Sequence, residues 1–266
     1  MRHTDLGLVF IIIFICFSTV TDSRMVITSD VGREQIKYNN AIDTAVSDSL
    51  YMLVEYDDGQ EISFNPDNAI RSFFSSLCIN LGMNYCTQNM ENLKEYIPVM
   101  IFVLSDGYIV YHHEYTDDGN KVTDSFVKSE KKYFRYEDDK YSYCFELGDN
   151  VVINDGLQTL KGNYNDIAKI YTDSLASDEE QYRQVHDRII IDSLTDELKM
   201  YTSKEYLDNG NGNWSFNIPY GSDDVWNRTV SDISLIAVFA GYPYSDTSLG
   251  YYNKFAFGGA RIWKKE

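Results

Sequence analysis

The sequence has few of the residues and motifs that commonly mark catalytic and metal sites. It contains four histidines and four cysteines in 266 residues. It has no GxSxG, HExxH or GxxxxGK[ST] motif and no dinucleotide-binding glycine pattern, so the familiar nucleophile, zinc-protease and nucleotide routes are absent. We therefore expect a protein that is not an enzyme and has no catalytic, cofactor-binding or metal-binding residues.

The cysteines do not form a pattern that predicts disulfides or a metal site. Cys16 lies inside a hydrophobic run, which leaves Cys78, Cys86 and Cys144 for the folded part of the chain. Three cysteines cannot pair completely, although a bridge between Cys78 and Cys86 stays open if the domain lies in an oxidising space. None has the CxxC spacing of a redox or zinc site.

Basic residues are scarce as well. The chain carries 23 lysines and arginines against 41 aspartates and glutamates, a formal net charge of -18. A field of this sign repels phosphate backbones, so nucleic acid is not expected as a partner. A solvated acidic surface explains the composition better than a specific cationic partner.

Local structure explains the few residues that could carry chemistry. His112 and His113 are adjacent in a predicted strand, so their side chains point to opposite faces and cannot serve one metal. Paired carboxylates lie in turn-like segments, where solvated turns account for them better than glycosidase chemistry. The pairs are Asp57 with Asp58, Asp117 with Asp118 and Asp223 with Asp224. The oxygen-rich residues 208–213 lack the EF-hand order, and helix termination accounts for them.

The N-terminal segment is strongly apolar. Residues 6–20 read LGLVFIIIFICFSTV and follow a short head that contains Arg2 and His3. As a helix they rise about 22 Å, less than the roughly 30 Å of a hydrocarbon core, so a span must borrow flanking residues. We expect a head over residues 1–5 and a retained transmembrane anchor over residues 6–21. A cleaved secretory signal is the open alternative.

A long amphipathic helix is predicted to follow the anchor over residues 22–56. The segment has no proline, and Gly32 is its only glycine. Apolar and small residues recur at helical spacing and form one stripe, with charged residues elsewhere. The contact stripe consists of Tyr38, Ile42, Ala45, Val46, Ser49 and Leu53. If the helix is continuous with the anchor over residues 6–54 it is about 73 Å long, and its second half must pack on a domain or on other helices.

Residues 57–266 are predicted to form a domain of the α+β class. Residues 69–81 have helical spacing, and residues 97–104 and 108–115 are β-rich runs joined by a turn that contains Asp106-Gly107. The first of these runs is apolar on both faces, which places it in the middle of a sheet. Next we expect a strand pair at 132–136 and 141–147 and an edge strand at 151–153. A helix should run from the capping box at 177–180 to about residue 206. Three more strands are expected at 214–218, 233–240 and 255–263.

The predicted fold is therefore α+β, with a long N-terminal membrane-anchored helix leading into a mainly antiparallel sheet covered by helices. The protein is expected to be a single-pass protein of the cell membrane. Its large C-terminal domain is placed on the extracytoplasmic side, because large domains translocate with little regard to charge.

The N-terminal third resembles a known class of proteins. A near-terminal hydrophobic helix that runs into an amphipathic helix containing residues 38–45 (YNNAIDTA) is similar to the TadE-like and pseudopilin-like components of bacterial tight-adherence and type IV pilus machinery. The resemblance covers about residues 6–54. It implies subunits that pack through their N-terminal helices and carry their globular heads outward, with other pilin-like or assembly subunits as partners.

Two functions of different classes follow. The first is a non-enzymatic, membrane-anchored structural or assembly component of a bacterial envelope apparatus, either pilus-like or secretion-related. The alternative is an anchored extracytoplasmic ligand-binding or sensor module, in which some of the 22 tyrosines line a binding surface. No small-molecule ligand is identified by the sequence. An envelope hydrolase is the third and weakest option.

Overall fold

A computed structural model describes residues 3–56, 62–117, 122–203, 226, 229–245 and 250–260. Along the first helix it describes the side chains of Ser18 and of the residues from Thr28 onward. Within these residues the chain is an α+β protein with antiparallel sheets, which confirms that part of the predicted fold class. The predicted strand at 214–218 lies outside the described residues.

Helices and strands alternate in blocks along the described chain. The helices are α1 (His3–Leu53), α2 (Pro66–Leu81), α3 (Thr87–Lys94), α4 (Tyr164–Ile170) and α5 (Glu179–Thr202). The strands are β1 (Val54–Tyr56), β2 (Ile62–Phe64), β3 (Val99–Leu104), β4 (Gly107–Asp117), β5 (Val122–Lys128), β6 (Phe134–Glu137), β7 (Ser142–Phe145), β8 (Asn150–Asn154), β9 (Thr159–Asn163), β10 (Ile233–Pro243) and β11 (Tyr251–Ala260).

Helix α1 is one helix of 51 residues that passes through Gly32. At 1.5 Å per residue it is about 76 Å long. Its hydrophobic packing on the domain, among the described side chains, begins at Val31 and continues to Leu53. The C-terminal half of the helix is therefore a structural part of the domain.

The structure contradicts the predicted membrane-anchored helix. The prediction of a single-pass protein with an extracytoplasmic domain depended on that helix and is wrong as well. Within the described residues, no helix has an apolar stretch long enough to cross a bilayer. The physical reason is that charged residues such as Asp30, Arg33 and Glu34 recur along the described part of α1 and interrupt any apolar window. Residues 6–21, the predicted anchor, lie outside the described side chains except for Ser18.

Helix α2 begins at Pro66, three residues before the predicted run of 69–81, and ends at Leu81 as predicted. The Asn65 side chain accepts a hydrogen bond from the Asn68 backbone N–H, and Pro66 occupies the first turn. Gly82 ends the helix with a φ of 81°, in the left-handed region that glycine adopts without steric cost. The helix lies against α1, where the Ser49 hydroxyl donates to the Ala69 carbonyl oxygen over 2.8 Å.

The main sheet has five strands in the order β11-β10-β3-β4-β5, and all neighbours are antiparallel. The predicted hairpin is present as β3 and β4, with Leu104 paired to Gly107. The C-terminal strand β10 pairs with β3 along Ser234 to Val238, although about 130 residues separate the two in sequence. A register shift interrupts the β10–β11 pairing between Phe239 and Tyr242.

Strand β3 is the centre of the main sheet, as its apolar sequence predicts. All six of its residues are buried. Met100 and Phe102 enter the core under α1 and α2, whereas Ile101 and Val103 enter a second core shared with α5 and the smaller sheet. The main sheet is thus covered on both faces, which explains the continuous apolar run.

The second sheet has four strands in the order β6-β7-β8-β9. The predicted pair is confirmed as β6 and β7, but β8 is an inner strand because β9 pairs with it, so the prediction of an edge strand is wrong. Helix α5 starts one residue later than its capping box predicts: Asp178 is the N-cap and accepts a hydrogen bond from the Gln181 backbone N–H.

The close contact between α1 and β11 gives a first testable prediction. A Cβ atom at Gly258 would lie 2.4 Å from Val46 Cγ1 and 3.0 Å from Leu50 Cδ1. Because the branched valine cannot rotate away freely, we expect Gly258→Ala to lower the free energy of unfolding by about 1–3 kcal/mol in urea denaturation. The variant Val46→Ala removes the side chain that the new methyl group would meet. Gly258→Ala should therefore lower the free energy of unfolding less in the Val46→Ala background than in the wild type.

The neighbouring glycine of β11 is the matched control. A Cβ atom at Gly259 would meet nothing closer than 3.8 Å, so Gly259→Ala should change the stability much less. Equal stabilities of the two alanine variants would show that α1 does not pack on β11 as closely as described.

Candidate functional site

The predicted contact stripe of α1 lies on its buried face. The six side chains are between 0% and 7% exposed, and five of them belong to the core formed with α2 and the main sheet. The residues are Tyr38, Ile42, Ala45, Val46, Ser49 and Leu53. The stripe makes its helix contacts with α2 inside the domain, so these side chains are occupied before any second subunit could contact them.

An aromatic cluster marks the place where α1 joins the domain. The ring centroid of Tyr38 lies 5.1 Å from that of Tyr242, 6.0 Å from that of Tyr244 and 5.3 Å from that of Tyr252. Burial, with a smaller contribution from the nearby Glu34 carboxylate, raises the pKa of Tyr38 to about 12. The hydroxyl therefore stays protonated at neutral pH, and the cluster packs the helix onto the sheet.

The opposite face of α1 is exposed and carries a different pattern. Positions spaced by three or four residues form one line along the helix, and none of them is charged. We call this line the outer stripe; it consists of Ile36, Asn40, Thr44, Ser47 and Tyr51. Its two ends are large and unusually exposed, with Ile36 61% and Tyr51 83% accessible, and its middle residues are small and polar.

The histidines of the domain have structural partners. His113 Nε2 lies 2.9 Å from the Lys94 carbonyl oxygen. His186 is buried, with Nε2 2.8 Å from the Glu146 carbonyl oxygen and Nδ1 2.7 Å from Asp187 Oδ1. In the described part of the chain, no three histidine, cysteine or acidic residues are arranged to hold a metal ion.

The three cysteines of the domain are free thiols, and no bridge joins Cys78 and Cys86. Burial raises the pKa of Cys78 and of Cys144, which disfavours the reactive thiolate. The acidic pairs at 57–58 and 223–224 and the oxygen-rich residues 208–213 lie outside the described residues. Of the third acidic pair, the structure describes the backbone of Asp117 alone.

A cleft of about 300 Å³ opens where the helix layer passes over β4 and β5. Helices α2 and α3 form one side and the two strands form the other. The lining residues are Asp67, Ile70, Arg71, Phe74, Met90, Lys94, Tyr111 and Phe126. This volume is at the lower end of the range for small-molecule sites, and an apolar wall with a few polar groups is the usual composition of such sites.

The acidic group of the cleft is fully engaged. The Tyr111 hydroxyl donates to Asp67 Oδ1 over 2.7 Å, and Lys128 Nζ lies 2.9 Å from Asp67 Oδ2. The tyrosine hydrogen bond, followed by the lysine contact, lowers the pKa of Asp67. Burial and the same carboxylate raise the pKa of Tyr111. The carboxylate therefore stays ionised and links α2 to the main sheet.

The cleft was not identified from the sequence. Its lining comes from four elements that are distant along the chain, and the local patterns of those elements show only which residues are apolar. One signal was present: Asp67, just before the predicted helix of 69–81, and Arg71 within it are four residues apart, so they lie on the same side if the helix includes both. Their apolar neighbours do not distinguish a cleft from an ordinary core.

The link between Asp67 and Tyr111 can be measured by a double-mutant cycle. We expect Asp67→Ala and Tyr111→Phe each to lower the free energy of unfolding by about 1 kcal/mol. Because both remove the same hydrogen bond, their combination should cost less than the sum by about 0.5–1.5 kcal/mol. Lys128→Ala is the control and should change stability by less than about 0.5 kcal/mol, since its ion pair is solvent-exposed.

This coupling should depend on pH in a defined direction. The native pKa of Asp67 is lowered, so its stabilisation is complete above the unfolded pKa of about 3.9 and is lost as the pH falls through the native pKa. Denaturation midpoints of the wild type and Asp67→Ala should therefore converge in acid. Additive single variants, or a difference that grows in acid, would contradict the described contact.

In comparisons with protein-family models, with curated protein sequences and with solved structures, the chain has no significant match. The resemblance of residues 6–54 to TadE-like and pseudopilin-like subunits stays a prediction. The function has to be inferred from the residues of the chain itself.

Proposed function

We propose that the protein is a non-enzymatic structural or assembly component whose copies pack side by side through helix α1. The observation that carries the proposal is that α1 is longer than the part of it that is seen to pack on the domain. The helix has 51 residues, and its described hydrophobic packing on the domain begins only at Val31. The helical backbone of residues 3–30, which precedes this packing in sequence, is about 42 Å long.

The sequence of this leading segment supports packing against other helices. Residues 6–20 are almost entirely apolar. An apolar run of this length in the sequence calls for an apolar partner, because water disfavours continuous apolar patches on proteins. The same segment of a neighbouring copy has the same length and composition.

The outer stripe supports the proposal within the domain. The chain has a net charge of -18, so copies that approach each other repel unless the contact surface is uncharged. Four charged residues of α1 flank the stripe. Asp43 pairs with Lys254 of β11 and Arg33 with Asp30. Lys37 donates to the Leu81 carbonyl oxygen, and Asp48 accepts from the Ser76 hydroxyl. Small side chains at Asn40, Thr44 and Ser47 allow a second helix to approach, and the larger residues at the two ends provide apolar contacts.

The test changes the two ends of the outer stripe. We expect the double variant Ile36→Lys, Tyr51→Lys to weaken self-association of the full chain by about tenfold or more, as measured by sedimentation and chemical cross-linking. Both residues are exposed, so circular dichroism and the denaturation midpoint should stay at the wild-type values. A wild-type chain that stays monomeric at every concentration tested would refute the proposal.

A charge-matched control separates the stripe from a general effect of added lysines. Leu157 and Ile170 are also exposed and apolar, but they lie in the β8–β9 turn and at the end of α4. Leu157→Lys with Ile170→Lys should leave self-association unchanged. Equal weakening by both double variants would mean that the effect is not specific to the outer stripe, and it would contradict the proposal.

Charged substitutions at Ile42 and Ala45 do not test assembly. Both side chains are buried in the core of the domain, at 1% and 0% exposure. A charge introduced there would be buried without a partner, so the domain itself would be destabilised. Any loss of association in such variants would follow from unfolding.

A further inference from the structure

The cleft between α2, α3, β4 and β5 combines an apolar interior with cationic groups at its rim. Ile70, Met90 and Phe126 are partly buried in the cleft, and Phe74 is buried beneath them. These side chains offer an aromatic and aliphatic surface to a small ligand. The apolar residues come from both helices and from a strand, so a ligand in the cleft would contact both layers of the domain.

Arg71 lies at this rim, within electrostatic range of the Asp67 carboxylate. Its side chain is exposed, and it forms no hydrogen bond or ion pair within the residues that the structure describes. Asp67, one turn earlier, is already engaged by Tyr111 and Lys128. A guanidinium presents its donors in a planar fork, which matches the two oxygens of a carboxylate.

Lys94 adds a second positive group on the α3 side of the cleft. Its Nζ lies 2.7 Å from Glu91 Oε1 and 5.8 Å from the centroid of the Phe74 ring. The lysine therefore sits against the aromatic surface. In a chain of net charge -18, the cations Arg71, Lys94 and Lys128 at this rim outnumber the acids Asp67 and Glu91 beside them.

We infer that this cleft binds a small carboxylate with an apolar body, with the carboxylate on Arg71 and the body against Ile70, Met90 and Phe126. The volume of about 300 Å³ limits the occupant to a small molecule. The apolar lining favours an aromatic ring or a short acyl chain for the body. This site is independent of the outer stripe of α1, which lies on another element.

The test uses three probes that share one body and differ in charge: phenylbutyrate, phenylbutanol and phenylbutylamine. Each is titrated into the full chain while the methyl resonances of Ile70 and Met90 are followed by NMR. Phenylbutyrate should shift both methyl groups saturably. The alcohol should bind several-fold more weakly because it lacks the carboxylate, and the amine should bind most weakly because Arg71 and Lys94 repel it.

The decisive variant is Arg71→Gln. It should weaken phenylbutyrate binding about tenfold and leave the affinity for phenylbutanol unchanged within about twofold, because the guanidinium contacts only the carboxylate. Arg188→Gln is the matched control: Arg188 is an exposed arginine of α5, on the opposite face of the main sheet, and its loss should not change binding. Arg71 is exposed, so both variants should fold like the wild type.

Three results would overturn the inference. The first is the absence of a saturable shift of the Ile70 and Met90 methyl groups with phenylbutyrate. The second is binding of the amine as tight as that of the acid. The third is a phenylbutyrate affinity that Arg71→Gln leaves unchanged.

Discussion

The close packing of α1 on its own domain is the constraint on which the rest of the structure depends. Val46 lies against the bare backbone of Gly258, and Ser49 is hydrogen-bonded to the backbone of α2. These contacts join the N-terminal helix to the last strand of the sheet, so the two ends of the chain hold one core together. Along the described part of α1 they leave the outer stripe exposed.

The same arrangement explains why the cleft lies where it does. Helix α1 covers the β10–β11 side of the main sheet, and α2 extends over β4 and β5, where Phe74 packs against Phe126. The cleft lies where α2 and α3 face β4 and β5. Strand β3, which pairs with β4, is buried on both faces and supports this part of the sheet. The outer stripe and the cleft are thus two different surfaces of one helix layer.

Local signals in the sequence predicted the local structure well. Asn65 caps the start of α2, and Asp106-Gly107 closes the β3–β4 hairpin, because capping and turn chemistry act over a few residues. The insertion of β10 beside β3 could not be predicted, since no local pattern encodes a pairing across about 130 residues. An amphipathic stripe has the same appearance whether it packs on its own sheet or on a neighbour, so the stripe of α1 was identified without its partner. The cleft was missed because Arg71 contributes to it only together with residues of α3, β4 and β5, which are distant in sequence.

Net charge and local charge have different consequences in this protein. Part of the acidity is structural: the hydroxyls of Tyr141 and Tyr171 donate to the carboxylates of Asp173 and Asp155. The remaining field is screened over about 8 Å at physiological salt, so a small anion that reaches the cleft experiences mainly the nearby groups, namely Arg71, Lys94 and the already engaged Asp67. Two copies of the chain that touch along a helix are closer than that distance, and their unscreened charges repel. An anion site can therefore exist on an acidic domain. A contact between copies has to be uncharged, and in this respect the outer stripe differs from the cleft.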